Sequence, residues 1–163
     1  MSLGHGATSG FGRSVTFSRP ADTTAYAALD VVGASTGSAI NQFLNTCAPG
    51  QETYIISAEL VIGGTTVITG MAGFRLHLYS SSPTAIADNA PFDLVSADRA
   101  RYLTYLEFET PVDLGSTLFA RCVFPGGQIK PESPSLWGIL QTVGAFTPES
   151  GTSFEVRIHN MRA

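Results

Sequence analysis

The chain has 163 residues, 44% of them hydrophobic and only 13% Asp, Glu, Lys or Arg, with a formal net charge of −4 at pH 7. That length supports one domain with a sizeable core, while the charged fraction is about half the ~25% of an ordinary soluble domain. The nine Lys and Arg residues are scattered from Arg13 to Arg162 without a run, which excludes the basic stripe that binding to nucleic acid needs, and no apolar run approaches the ~20 residues of a membrane-spanning helix.

A surface so poor in charge and rich in Ser, Thr and Gly is weakly defended against association, so much of it is expected to be covered by neighbouring copies or partners. The opening residues MSLGHGATSGFG lack the basic and apolar regions of a secretory signal, so synthesis and assembly in a cytoplasm are expected. Cys47 and Cys122 have no metal-type spacing and sit in apolar surroundings. In a reducing compartment they read as free, small buried hydrophobes.

Residues 1–11 carry Gly4, Gly6 and Gly10 among small polar residues and read as a flexible N-terminal arm, with residues 12–163 forming one domain. The first strand is expected over 13–18, with Val15 and Phe17 on one face and Ser14, Thr16 and Ser18 on the other. Pro20 ends it. Short strands follow at 29–32 and 39–46, separated by the Gly33 to Gly37 turn. A long strand is expected over 53–62, with Tyr54, Ile56, Ala58, Leu60 and Ile62 sharing the inner face.

Phe74, Leu76 and Leu78 then alternate with Arg75, His77 and Tyr79 in the period-2 pattern of a half-buried strand. A long polar loop comes next, in which Ala87-Asp88-Asn89-Ala90-Pro91 has turn chemistry. Residues 96–101 are the one helical turn, with Ser96 as N-cap and Asp98 in its first turn. Strands at 103–109, 117–124, 136–143 and 154–159 complete the chain, separated by Pro125-Gly126-Gly127, Pro131 to Pro134 and Pro148 to Gly151. Eight or nine strands punctuated at this spacing predict an all-β fold, a single antiparallel β-sandwich of jelly-roll-like topology.

Three segments carry a resemblance: Arg19-Pro20-Ala21-Asp22-Thr23-Thr24-Ala25-Tyr26, FRLHLYSSSPTAIADNAPFDL from Phe74 to Leu94, and Pro111-Val112-Asp113-Leu114-Gly115-Ser116-Thr117-Leu118. In this order, and over the chain from about Gly12 to its end, the sequence resembles a group of small structural proteins encoded by tailed bacteriophages. The resemblance implies a virion component, with capsid decoration, or cement, as the favoured role. It supplies no catalytic residues.

The residues themselves point the same way. His5, His77 and His159 show no metal-ligand spacing, and His77 and His159 read as outward or interface strand residues. Asp88, Asp93 and Asp98, with Asn89, offer oxygen donors for calcium but lack the order of a dedicated loop; an Asx-turn leading to a helix start is the simpler reading. Glu107 and Glu109 flank Phe108 at a spacing that loosely suits paired carboxylates, yet without aromatic subsites they read as solvated. There is no nucleophile elbow and no phosphate-binding glycine loop. Trp137 reads as core, and Tyr26, Tyr79, Tyr102 and Tyr105 are the candidates for an aromatic sugar platform.

The expectation is therefore a non-enzymatic virion protein without cofactor or metal, a dimer or trimer whose partners are the major capsid protein or other virion proteins, with neither nucleic acid nor membrane. Capsid or subunit contacts are expected from Phe11, Arg13, Asp88, Asn89 and Phe92. The alternative is a receptor- or glycan-binding tip of a tail or head fibre.

Overall fold

The computed structural model describes residues 11–35, 40–48 and 51–162. The expected arm lies outside them except for the backbone of Phe11, which opens the first strand. The strands are β1 (Phe11–Ser18), β2 (Val31–Val32), β3 (Ile40–Phe43), β4 (Thr53–Gly63), β5 (Phe74–Tyr79), β6 (Tyr102–Phe108), β7 (Val112–Asp113), β8 (Thr117–Ile129), β9 (Leu136–Thr142) and β10 (Ser153–Arg162). All pairings are antiparallel. One five-stranded sheet runs β1-β10-β4-β8-β7; the other runs β2-β9-β5-β6, with β3 also on β9. This is the expected all-β sandwich, and the strand order is compatible with a jelly roll.

The core lies between the sheets because period-2 patterning turns one apolar row of each strand inward. Ala58, Leu60 and Ile62 of β4, with Phe154, Val156 and Ile158 of β10, meet Phe74, Leu76 and Leu78 of β5 and Leu136 and Leu140 of β9, all buried. Phe17 stacks on Phe154 at 5.5 Å between ring centroids, and Phe74 meets Phe154 edge-on at 6.1 Å. Gly138 is glycine because a Cβ there would stand 2.8 Å from Leu76 Cδ1 and 3.1 Å from Phe43 Cε2.

The structure corrects four local expectations. In β4 the alternation breaks: the register against β10 shifts between His159 and Asn160, leaving Ile56 as the extra residue, exposed at 38%, and turning Ile55 fully into the core. A bulge changes the phase of every residue before it, so Tyr54 and Ile56 do not share the face of Ala58. The expected turn at Pro125-Gly126-Gly127 is instead inside β8, which stays paired to β4 as far as Ile129. The helical turn is a 3-10 turn, Ser96–Asp98, whose N-cap is Val95 with no side-chain cap bond. Asp98 stands in this turn as expected, and it is buried and takes the Thr84 N–H at 2.8 Å, so its carboxylate anchors a loop. Finally, β7 appears where no strand is expected, since two residues are too few to show a period.

Candidate functional site

The first two segments of the resemblance converge on one buried cluster. Arg19 follows β1, and its side chain is fully shielded from solvent beneath the loops. Its Nε donates to Tyr26 Oη at 3.2 Å, its Nη2 to Asp22 Oδ1 at 2.9 Å, and its Nη1 to the carbonyls of Pro20 and Glu149 at 3.4 Å and to that of Asp22. Asp88 closes the cluster from the other segment. Its Oδ1 accepts from Tyr26 Oη at 2.7 Å and from the Gly33 N–H at 2.8 Å, and its Oδ2 lies 3.7 Å from Arg19 Nη2. A Cβ on Gly33 would stand 3.0 Å from the Asp88 Cβ and backbone nitrogen, so the close approach requires glycine.

The electrostatics follow from burial. Burial opposes the Arg19 charge, but hydrogen bonds to Tyr26 and Asp22 outweigh it and hold the guanidinium above its ordinary pKa. Burial likewise raises the Tyr26 phenol well above its usual range, keeping it a neutral donor to Asp88. The Thr24 amide, followed by Arg19, lowers Asp22.

The same loop is stitched along its backbone. Val31 N–H donates to Ala90 O at 2.8 Å, Asn89 N–H to Val31 O at 2.9 Å, and Phe92 N–H to Leu29 O at 3.0 Å. Asn89 adopts a left-handed backbone, φ 64°, which Asn tolerates better than most residues. Residues 86–94 thus lie across the outer face of β5 and β9. There Ile86, Phe92 and Leu94 pack on a second apolar cluster of Val31, Tyr79 and Ile139, joined by Tyr102 and Trp137.

His77 sits beneath this cover, 6% exposed, which corrects the expectation of an outward residue. Phe92 stacks on its ring at 3.8 Å and 13°. Gln141 Nε2 donates to Leu29 O at 3.1 Å, which aims Gln141 Oε1 at His77 Nε2, 2.9 Å away. Nε2 therefore carries the proton, and Nδ1 accepts from Tyr102 Oη at 3.2 Å. Burial, with Arg75 nearby, lowers the His77 pKa and favours this neutral form.

The expected contact residues are therefore dispersed. Asp88 is engaged internally; Asn89 is part-buried; Phe92 is half-buried against His77; Arg13 lies at the far end of β1, where its Nε donates to Asn45 O at 3.1 Å. Of Phe11 only the backbone is described, paired with Asn160. The candidate calcium carboxylates do not converge: Asp88 and Asp98 hold separate loops, Asp93 is exposed, and among the described residues no group of three His, Cys, Asp or Glu side chains is placed to share an ion. Glu107 reaches Arg75 at 3.3 Å, while Glu109 lies beyond the end of β6. His159 stands on the outer face of β10, its Nε2 3.4 Å from Glu59. Of the four platform tyrosines, Tyr26 and Tyr79 are buried, Tyr102 is half-buried, and Tyr105 is exposed. Cys47 is buried with its Sγ 3.8 Å from Ser133 O, Cys122 is part-buried, and the two are not joined to one another.

Sequence reasoning assigned no role to Arg19, read Tyr26 only as a candidate platform tyrosine and read Gly33 only as the start of a turn. The available signal was an arginine, normally a surface residue, sharing the resemblance with an Asp-containing loop.

The fold defines the class as an antiparallel β-sandwich with one face roofed by a stapled loop. Among solved structures, the chain is similar to the capsid of Ralstonia phage GP4, at 13% identity and TM-score 0.43 over 97% of this chain and 86% of that one. It is also similar to a Bacillus thuringiensis Cry1Da tryptic core variant, at 12% identity and TM-score 0.34 over 83% of this chain and 18% of that one. A third likeness is to the heated full particle of Israeli acute paralysis virus, at 9% identity and TM-score 0.34 over 96% and 72%. At these scores the likenesses assign neither family nor role. No family model and no curated protein matches the chain.

Proposed function

We propose that this protein is a non-enzymatic structural component of a tailed-phage virion, a decoration or cement protein that binds the capsid shell and stabilises it. The observation that carries the reading is the convergence of Arg19, Asp22, Tyr26 and Asp88. Two of the three segments that resemble phage structural proteins are spent on internal partners, and their polar groups hold one another in place of a substrate. A rigid, charge-poor body suits repeated docking on a lattice, because little ordering entropy is lost at each copy. Stabilisation then follows by mass action, since the protein binds assembled shell and not dispersed subunits. The N-terminal arm is the segment we assign to the crossing between capsomers, with Phe11 and Arg13 at its root.

The test is retention on purified capsids stripped of the protein. Full-length protein is expected to rebind and raise the shell's melting temperature, and a variant lacking residues 2–11 to keep its fold and lose retention. A truncated protein that still decorates shells removes the arm mechanism, and full-length protein that never binds shells removes the reading.

A further inference from the structure

The larger sheet ends in β1 and β7, the smaller one in β6 and in the short β2 and β3. An edge strand presents a row of unpaired backbone N–H and C=O groups, and most edges here are short or interrupted. β7 and β2 have two residues each, and the Val31 backbone of β2 is taken by Asn89 and Ala90. β3 has four residues. β6 shifts register opposite Leu78 and Tyr79 and carries the exposed Glu107. β1 has none of these devices. Its eight residues pair with β10 without a register shift, it holds no proline, and its one charged residue, Arg13, donates through Nε to Asn45 O of its own chain.

The end of the ladder fixes its phase. Arg19 N–H donates to Thr152 O at 3.0 Å, and these two stand opposite one another in the register that pairs Ser18 with Ser153. Backbone direction alternates along an antiparallel strand, so the odd-numbered residues of β1 turn their N–H and C=O to β10, while Gly12, Ser14, Thr16 and Ser18 turn theirs to the open edge. Ser18 O agrees, since it accepts the Ser35 N–H at 2.8 Å from that side. Gly12, Ser14 and Thr16 are exposed and have no backbone partner at that edge among the described residues. Val15 and Phe17 pack against the core from the other face of the strand and are only part-buried, because the sheet ends at β1.

A strand that completes this edge must be extended, free of bulges and able to offer alternate residues whose backbone is unpaired over the same length. β1 of a second copy meets each condition. A two-fold axis normal to the sheet and beside Ser14 sets Ser14 against Ser14 of the copy and Gly12 against Thr16. These pairs use every open group and stop short of Ser18, which Ser35 holds. We propose that β1 pairs antiparallel with β1 of a second copy in this register, joining the two larger sheets into one. The pairs exchange about six backbone hydrogen bonds. On the outer face Gly12, Ser14 and Thr16 are small and set no charge against a charge. On the inner face Val15 stands opposite Arg13 of the copy and loses solvent, while the two Arg13 side chains lie diagonally, each drawn off by Asn45 O of its own chain. The low charge of the whole chain leaves little repulsion to oppose the contact. This dimer goes beyond the shell-binding reading and does not depend on it.

The experiment is light scattering and sedimentation of the full chain over a concentration series. Wild type is expected to be a dimer. Ser14→Lys and Ser14→Glu each set like charges face to face across the axis and, with an unchanged circular dichroism spectrum, are expected to weaken dimerisation at least roughly tenfold. Mixed in equal amounts, the two variants are expected to restore the dimer, because position 14 meets only itself and the mixed pair sets Lys against Glu. Ser14→Pro is a third variant: it removes an N–H that faces the open edge, so it is expected to keep the fold and lose the dimer without altering charge. A monomeric wild type, a trimer, or single variants that fold and stay dimeric overturn the proposal, as does a mixture that stays monomeric. A dimer that forms while stripped capsids remain bare supports this contact and removes only the shell-binding reading.

Discussion

Arg19 shows how a side chain type that is almost always solvated becomes structural. Its guanidinium exchanges water for a carboxylate, a phenol and backbone carbonyls, and breaking one member of such a set leaves the others buried and unpaired. Asp88→Ala is expected to lower unfolding free energy by about 3 kcal/mol, because it strips acceptors from Tyr26, Gly33 and Arg19 together. Asp88→Asn, which keeps one carbonyl oxygen for Tyr26 and Gly33, is expected to cost less than half as much. Denaturant unfolding of the two variants measures both, and equal losses would contradict the acceptor argument. The same internal commitment of Asp88 and Asp98 predicts that chelator or millimolar calcium leaves the melting temperature unchanged.

At the scale of elements, the β4 bulge and the loop roof make separate predictions. Ile55 is fully buried and its neighbour Ile56 is 38% exposed, so Ile55→Ala is expected to cost about 2–5 kcal/mol and Ile56→Ala roughly 1 kcal/mol or less. Simple alternation from Ala58 gives the reverse order, and unfolding curves of the pair decide between them. For the roof, His77 is faced by Arg75 on its own strand, Tyr102 and Tyr105 on β6, Gln141 on β9 and Phe92 from the loop. Its folded pKa is depressed, so the unfolded chain binds the proton more readily. Stability from this group is complete above the unfolded value near 6.5 and falls as pH drops below it, until the folded pKa is passed, with a slope of at most about 1.4 kcal/mol per pH unit. Unfolding free energy is expected to be lower at pH 5.5 than at pH 7.5, with the difference shrinking in His77→Gln. An unchanged difference would assign the effect to other groups.

At the scale of the molecule, both sheets are sewn from strands far apart in sequence: β1 closes on β10, and β4 lies between β10 and β8. Loop closure must precede most of the contacts that reward it, so refolding is expected on a timescale of about milliseconds to seconds, measurable by stopped-flow Trp137 fluorescence. A microsecond phase carrying the full amplitude would mean that local structure dominates. With Cys47 and Cys122 not joined to one another, wild type and a Cys47→Ala, Cys122→Ala variant are expected to refold alike with or without reductant.

The sequence by itself determined the class of fold, most of the strands and the apolar rows of β1 and β5, because period-2 patterning and turn residues are local signals that survive without knowledge of partners. It also determined the scarcity of charge that makes self-association physically cheap. Only the tertiary structure decided that Asp88 reaches Arg19 across 69 positions, that His77 is roofed by Phe92, and that Ile56 is pushed out by a bulge. Each of these depends on register between distant strands and on which loop lies over which face. A one-residue shift in such pairing inverts a side chain's environment while leaving its local pattern unchanged.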